Sequence, residues 1–294
     1  MGEGAPRHNP EPSEEVTSLT SPEPIPAGGR SLAQAVVTAL ILVAIMGVCY
    51  VLGVRGFFVL VCVVVLTALF ELLDALIQTG HRPNPVLALA CGLGMLLAAY
   101  AGRPALYGVV LAAALVGGFL WALRPKRGPS PVSDVAWGLL GVAWVGGGGA
   151  GATSILVLDP GGLNLLVSFV LIVAAGDISA YFVGTSLGRH KLAPSISPNK
   201  SWEGFIAGLV GSVLGGLLFA ALLDELSVLH GVGIGILVGL VAPVGDLVES
   251  LAKREIGIKD SGRLLPGHGG FLDRLDAILF AAPAVYLYLR FLVY

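Results

Sequence analysis

The chain has 294 residues, of which 55% are hydrophobic and only 12% charged, and its mean hydropathy is +0.87. Those values exclude a soluble fold and point to a polytopic helical membrane protein. The formal net charge of −2 gives no basis for a nucleic-acid partner, and it says little more because the charges are segregated along the chain.

Residues Met1 to Gly29 are rich in Pro, Glu, Ser and Gly, with almost no large apolar side chains. Such a segment cannot bury enough surface to fold, so a disordered tail is expected over 1–29; it lacks the charge, apolar core and cleavage pattern of a signal peptide. A membrane-embedded domain is expected over 30–294. Apolar runs of about twenty residues, the length of helix that crosses the hydrocarbon, predict spans at Leu32 to Val54, Gly56 to Ile77, Pro85 to Gly102, Pro104 to Leu123, Val135 to Leu156, Leu163 to Gly184, Trp202 to Leu223, Val228 to Val248 and Asp276 to Val293. The expected fold is all-α, a bundle of about nine transmembrane helices, and the glycine-rich fifth span gives the weakest signal.

With nine spans, the tail and the loops after spans two, four, six and eight share one side of the membrane. Only Arg55, Arg103 and Arg290 face the other way, so 14 of the 17 Lys and Arg residues lie on the tail side. By the positive-inside rule that side is cytoplasmic, and an integral plasma membrane protein is expected. Cys49, Cys62 and Cys91 fall within apolar spans without metal-like spacing and read as packing residues. Gly208, Gly211, Gly215 and Gly216 recur at helical spacing, which lets membrane helices approach closely. His8, His81, His190 and His230 have no partners at ligand spacing and read as solvent or interfacial residues.

Polar residues interrupt this pattern at three stations. The first is Asp177, expected near the cytoplasmic end of the sixth span; a carboxylate in so apolar a helix marks a functional site unless a Lys or Arg of another helix pairs with it. The second is the loop Arg189 to Gly204, containing Ser197-Pro198-Asn199-Lys200-Ser201-Trp202-Glu203-Gly204. Lys200 and the hydroxyls of Ser197 and Ser201 can donate to phosphate oxygens, although Ser201-Trp202-Glu203 also reads as a helix start with an interfacial Trp anchor. The third joins the eighth span to the segment after it, where a continuing helix puts Asp246, Glu249, Ser250 and Lys253 on one face. Asp273 and Asp276 have the same i, i+3 relation at the start of the last span, so two helix ends can bring Asp246 and Asp273 together. Hard carboxylate oxygens there suit Mg²⁺; the alternative is internal salt bridges, Asp246 to Lys253 or Asp273 to Arg254.

Between them runs Ser250 to Asp276, S-L-A-K-R-E-I-G-I-K-D-S-G-R-L-L-P-G-H-G-G-F-L-D-R-L-D. Its cations, carboxylates and glycines are what several phosphates and a divalent metal require: donors, ligands and backbone that permits close approach. The segment closely resembles the signature of the phosphatidate cytidylyltransferases, or CDP-diacylglycerol synthases, through Ser250, Lys253, Arg254, Lys259, Asp260, Pro266, His268, Gly269, Gly270, Asp273, Arg274 and Asp276. Ser197 to Gly204 resembles a second, shorter motif of that family, and the Gly176-Asp177 segment is similar as well. One position departs, Ala252, where the family usually has a larger aliphatic residue.

The resemblance implies transfer of a cytidylyl group from CTP to phosphatidic acid, giving CDP-diacylglycerol and pyrophosphate. On that expectation Asp246 and Asp273 are the metal carboxylates, with Asp177 and Glu249 as supporting ligands for Mg²⁺ or a second cation. Lys253, Arg254, Lys259, Arg263 and Arg274 hold the phosphates, with Asp260 in the same loop. Gly267, Gly269 and Gly270 offer backbone N–H groups, His268 binds phosphate or fixes the loop, and Ser197, Lys200, Ser201 and Ser250 close the site. CTP, phosphatidic acid and membrane lipids are the expected partners, and a homodimer is left open. The sequence has no G-x-x-x-x-G-K-[ST] loop and no nucleotide-binding βαβ pattern, so the nucleotide is expected to bind on the membrane helices. Two other readings remain: a CTP-dependent transferase acting on an isoprenoid or ether-lipid phosphate, and an ion-coupled transporter, which would place its charges near the bilayer midplane.

Overall fold

The computed structural model describes residues 32–124, 130–258, 261–262 and 270–294. The expected tail, together with Lys259, Asp260, Arg263, Pro266, Gly267, His268 and Gly269, lies outside the described residues.

The described chain is a helical bundle. It comprises α1 (Leu32–Val51), α2 (Gly53–Gln78), α3 (Pro85–Tyr100), α4 (Leu106–Ala122), α5 (Pro131–Gly141), a π-helical turn (Val142–Gly146), α6 (Gly147–Leu156), α7 (Gly162–Leu187), α8 (Trp202–Leu222), α9 (Val228–Glu255) and α10 (Leu272–Leu292). Among the described residues six helices are long and apolar enough to cross a membrane: α2, the composite Pro131–Leu156, α7, α8, α9 and α10; α3 and α4 are shorter apolar helices. The fold is that of an all-α integral membrane protein, with one addition. Strands β1 (Lys191–Ala193) and β2 (Ser197–Ser201) form a small antiparallel hairpin between α7 and α8.

Two apolar clusters make the core. One gathers α2, α3, the π-helical turn and parts of α6 and α10 around Leu69, Leu72, Leu96 and Val145, and the other gathers α6, α7, α9 and α10 around Phe169, Ile172, Val238 and Ala281. α6 belongs to both, and it explains the weak signal of the fifth span: Gly148 and Gly151 lie against the backbone of Leu279 and of Ala282–Pro283 on α10. A side chain there would push two central helices apart, so glycine replaces hydrophobic bulk at the most buried place in the bundle. The glycines of α8 act in the same way, Gly208 and Gly211 against α7 and Gly216 against Gly231 of α9, as their spacing led us to expect.

Several boundaries differ from the expected ones, for a common reason. Hydropathy ends at the first charges, whereas the backbone continues helical until a cap or a proline stops it. Thus α7 runs on to Leu187, α9 to Glu255, and α10 begins at Leu272 rather than Asp276. The composite helix starts at Pro131, in the first turn, where a missing N–H costs nothing. Asp177 lies ten residues, about 15 Å, before the end of its helix.

Candidate active site

α9 carries the polar stripe as a continuous helix, so Asp246, Glu249, Ser250 and Lys253 do share one face. What they touch divides the stations into two adjoining groups.

In the outer group, Lys253 Nζ lies 2.9 Å from Asp273 Oδ1 and 3.0 Å from Glu249 Oε1. Ser261 Oγ sits between the same two acids, 2.8 Å from Asp273 Oδ1 and 3.0 Å from Glu249 Oε1, and its single proton can serve one of them at a time. Asp273 also accepts from the backbone N–H of Ser261 and, at 3.0 Å, of Gly270. This carboxylate pins the loop to the first turn of α10 in the manner of a capping side chain. Glu249 is only 2% exposed, and Ser261 is buried with it.

In the inner group, Lys200 Nζ reaches across from the end of β2 to Asp246 Oδ2, at 2.7 Å, and donates to the carbonyl of Pro243 at 3.3 Å. Asp177 and Asp276 stand within electrostatic range of Asp246, and Asp276 adjoins Glu249, which links the two groups. Asp246 keeps 45% of its side chain exposed and Asp177 is exposed on α7, so both carboxylates remain accessible.

Both carboxylates expected to bind metal are thus ion-paired, but with partners other than those the sequence suggested. Lys253 pairs with Asp273 instead of Asp246, and Lys200 takes Asp246. The sequence reading could not distinguish these because Lys200 lies 46 positions from Asp246 and only the hairpin delivers it there. Ser250 Oγ is 3.5 Å from Asp246 Oδ1, at the limit of a hydrogen bond. Ser201 is buried and accepts from Gly204 N, so its hydroxyl caps α8, and Trp202 is exposed beside it. Ser197 is half-buried in β2. Arg254 and Arg274 are exposed on the last turn of α9 and the first of α10.

Three histidines have partners that sequence spacing could not reveal: His81 with Asp134 at 3.3 Å, His190 with Glu203 at 2.7 Å, and His230 with the Tyr288 hydroxyl at 3.2 Å. Glu203 also accepts from the backbone N–H groups of Arg189 and His190, closing the hairpin onto α8.

Sequence reasoning missed three contributors. Ser261 is hidden in the variable part of the signature. Asp276 was recognised as part of the pattern but given no role. Glu71, on α2, is 3% exposed and accepts from Leu272 N at 3.1 Å, while Gly262 and Gly270 lie so close that a Cβ on either would meet its carboxylate. The signal for Glu71 was present: a carboxylate in an apolar helix, the same feature that singled out Asp177.

The donor chemistry fits a hard divalent cation, since Asp177, Asp246 and Asp276 offer only carboxylate oxygens from three helices. Among the described residues no three carboxylate, imidazole or thiol groups close around one point. Magnesium generally keeps waters and substrate phosphate oxygens in its shell and takes one or two protein carboxylates, so the accessible Asp246 and Asp177 suffice in kind.

Comparison with known proteins shows the family of the chain. Thirty-six per cent of residues are identical over 284 positions to a phosphatidate cytidylyltransferase of Mycobacterium bovis, covering 90% of each chain. A phosphatidate cytidylyltransferase of Brucella abortus is 42% identical over 156 residues, 53% of this chain and 58% of that protein. The uncharacterized Escherichia coli protein YnbB is 38% identical over 164 residues, 55% of each. A sequence model of the cytidylyltransferase family matches residues 33–292, and the chain belongs to that family.

Proposed function

We propose that this membrane enzyme transfers a cytidylyl group from CTP to phosphatidic acid, releasing pyrophosphate and forming CDP-diacylglycerol. The observation that carries the reading is the pairing of Lys200 with Asp246 and of Lys253 with Asp273, from three separated segments, within a chain 36% identical over 90% of its length to a phosphatidate cytidylyltransferase.

An oxygen of the lipid phosphate attacks the α-phosphorus of CTP, a new P–O bond forms, and the bond from the α-phosphorus to the bridging oxygen breaks as pyrophosphate leaves with that electron pair. The nucleophile is already anionic near neutral pH, so the protein's work is positioning and charge neutralisation rather than proton abstraction. Lys200 and Lys253 are held at fixed places by their carboxylate partners and present ammonium groups to incoming phosphates. Asp246 is the principal metal ligand, with Asp177 beside it, and Mg²⁺ supplies neutralisation of the triphosphate when bound. Asp273 orients Lys253 and the loop of the signature. Glu249 is enclosed and acts through Lys253 and Ser261 rather than on substrate.

The same reading places this site on the cytoplasmic face of the plasma membrane, reached by nine spans, because that arrangement keeps 14 of the 17 Lys and Arg residues inside. The test uses the purified chain in detergent with labelled CTP, Mg²⁺ and a panel of phosphatidic acid, isoprenoid phosphate and ether-lipid phosphate. Labelled CDP-diacylglycerol with equimolar pyrophosphate supports the proposal. Selective use of another phosphate, or a phosphorylated lipid accompanied by CDP, overturns it.

A further inference from the structure

A second site lies apart from the polar stations. Where α2 and α4 end and α3 and α5 begin, the helices enclose a cavity of about 490 Å³. The volume is within the range of small-ligand pockets, roughly 300–1,000 Å³. Its walls are apolar, including Leu87, Ala114 and Val142, and its mouth carries Arg82 and Arg124.

The charges at this mouth are unevenly committed. Asp134 is buried, sits in the first turn of α5 and is paired with His81 at 3.3 Å. Arg82 and Arg124 are both exposed, and among the described residues neither forms an ion pair. Arg124 lies over the Trp121 ring at 4.0 Å, an arrangement that holds the guanidinium at the rim while its fork stays open to a ligand. An apolar recess with two guanidiniums free of ion pairs at its opening suits an anionic amphiphile, such as an apolar chain joined to a phosphate.

The cavity also faces the same side of the bundle as the candidate active site. Glu71, which holds the start of α10, precedes the cavity-lining Ile77 by less than two helical turns on α2. A ligand seated here therefore approaches from the leaflet in which the reaction operates, without touching the residues of either group described above.

We propose that this cavity binds one anionic phospholipid, its phosphate between Arg82 and Arg124 and part of an acyl chain against Leu87, Ala114 and Val142. Basic pockets between membrane helices are suited to lipid phosphates, and each nearby cation adds to the attraction. The site is separate from the catalytic one and does not depend on which lipid is turned over.

The test is native mass spectrometry of delipidated full-length protein titrated with phosphatidylglycerol or phosphatidylcholine, with inorganic phosphate as a competitor. Lys200→Gln serves as the background, to remove a phosphate-binding cation from the catalytic site. One phosphatidylglycerol should be retained with a preference of roughly tenfold or more over phosphatidylcholine, on the scale of two guanidinium contacts. Adding Arg82→Gln and Arg124→Gln, both exposed and so compatible with folding, should erase that preference and leave CTP-dependent turnover intact when placed in the wild-type chain. Equal retention of the two lipids, or undiminished preference in the double variant, overturns the proposal. Displacement of the lipid by millimolar inorganic phosphate overturns the lipid assignment in favour of a free-phosphate site.

Discussion

At the residue scale, two aspartates that sequence treats alike have different duties. Asp246 is accessible and has one cation partner, whereas Asp273 accepts from Lys253, Ser261 and Gly270 together. Asp246→Asn should leave a folded protein and reduce turnover on the order of 10²-fold or more, the scale for loss of a key electrostatic stabiliser. Asp273→Asn should reach a similar loss but also lower the thermal midpoint, because an amide cannot satisfy an ammonium and two backbone donors as a carboxylate does. Both effects are read by initial rates across a Mg²⁺ titration and by unfolding in detergent. Near-normal turnover in Asp246→Asn would remove it from the metal site, and an unchanged midpoint in Asp273→Asn would deny its role in fixing the loop. The identity of these residues was legible because charges are costly in so apolar a chain, but their pairing was not. Lys200 and Asp246 meet only through the hairpin, whose strands of three and five residues carry no periodic signal among Ser, Pro and Asn.

At the element scale, the active site depends on how closely α7 and α8 approach and on how α2 holds α10. A Cβ on Gly208 would lie 3.1 Å from Ala180 Cβ and 3.2 Å from the carbonyl of Gly176, so Gly208→Val should force α8 outward and carry Lys200 with it. Overpacking of this kind costs about 1–3 kcal/mol; a lowered thermal midpoint and reduced turnover are expected, while Gly108→Val, at a glycine with open space around it, should change neither. The strut between α2 and α10 makes a separate claim. Glu71→Ala leaves the Leu272 N–H without its acceptor and should cost about 1–3 kcal/mol, with turnover falling more than the KM for CTP rises. Glu71→Gln keeps an acceptor and should recover much of the rate. Equal kinetics for wild type and Glu71→Ala would show that α10 is positioned without it. The glycine spacing of α8 announced the first contact from sequence alone, whereas the second joins positions 201 residues apart and needs the folded bundle to be seen.

At the scale of the whole molecule, sequence revealed the class, the polar face and the family resemblance, since apolar runs and a long fixed pattern survive without any knowledge of packing. It blurred the helix ends and the central glycine-rich segment, where burial is achieved by backbone contact instead of apolar side chains. Orientation is the remaining global property, and it follows from charge. If the tail side is cytoplasmic, Ser195 in the hairpin turn and Ser130 before α5 face the cytoplasm, and Arg103 between α3 and α4 faces outward; all three are exposed. In a background with Cys49, Cys62 and Cys91 replaced, cysteine at position 103 should react with a membrane-impermeant thiol reagent on intact cells, and cysteine at 130 or 195 should react only after the membrane is opened. The hairpin carries Lys200 into the candidate site, so labelling of position 195 from outside would place the site away from the cytoplasmic nucleotide pool and defeat the proposed reaction's supply of CTP. Labelling of both 103 and 130 from outside would instead break the alternation of α3, α4 and the composite helix, and with it the nine-span arrangement.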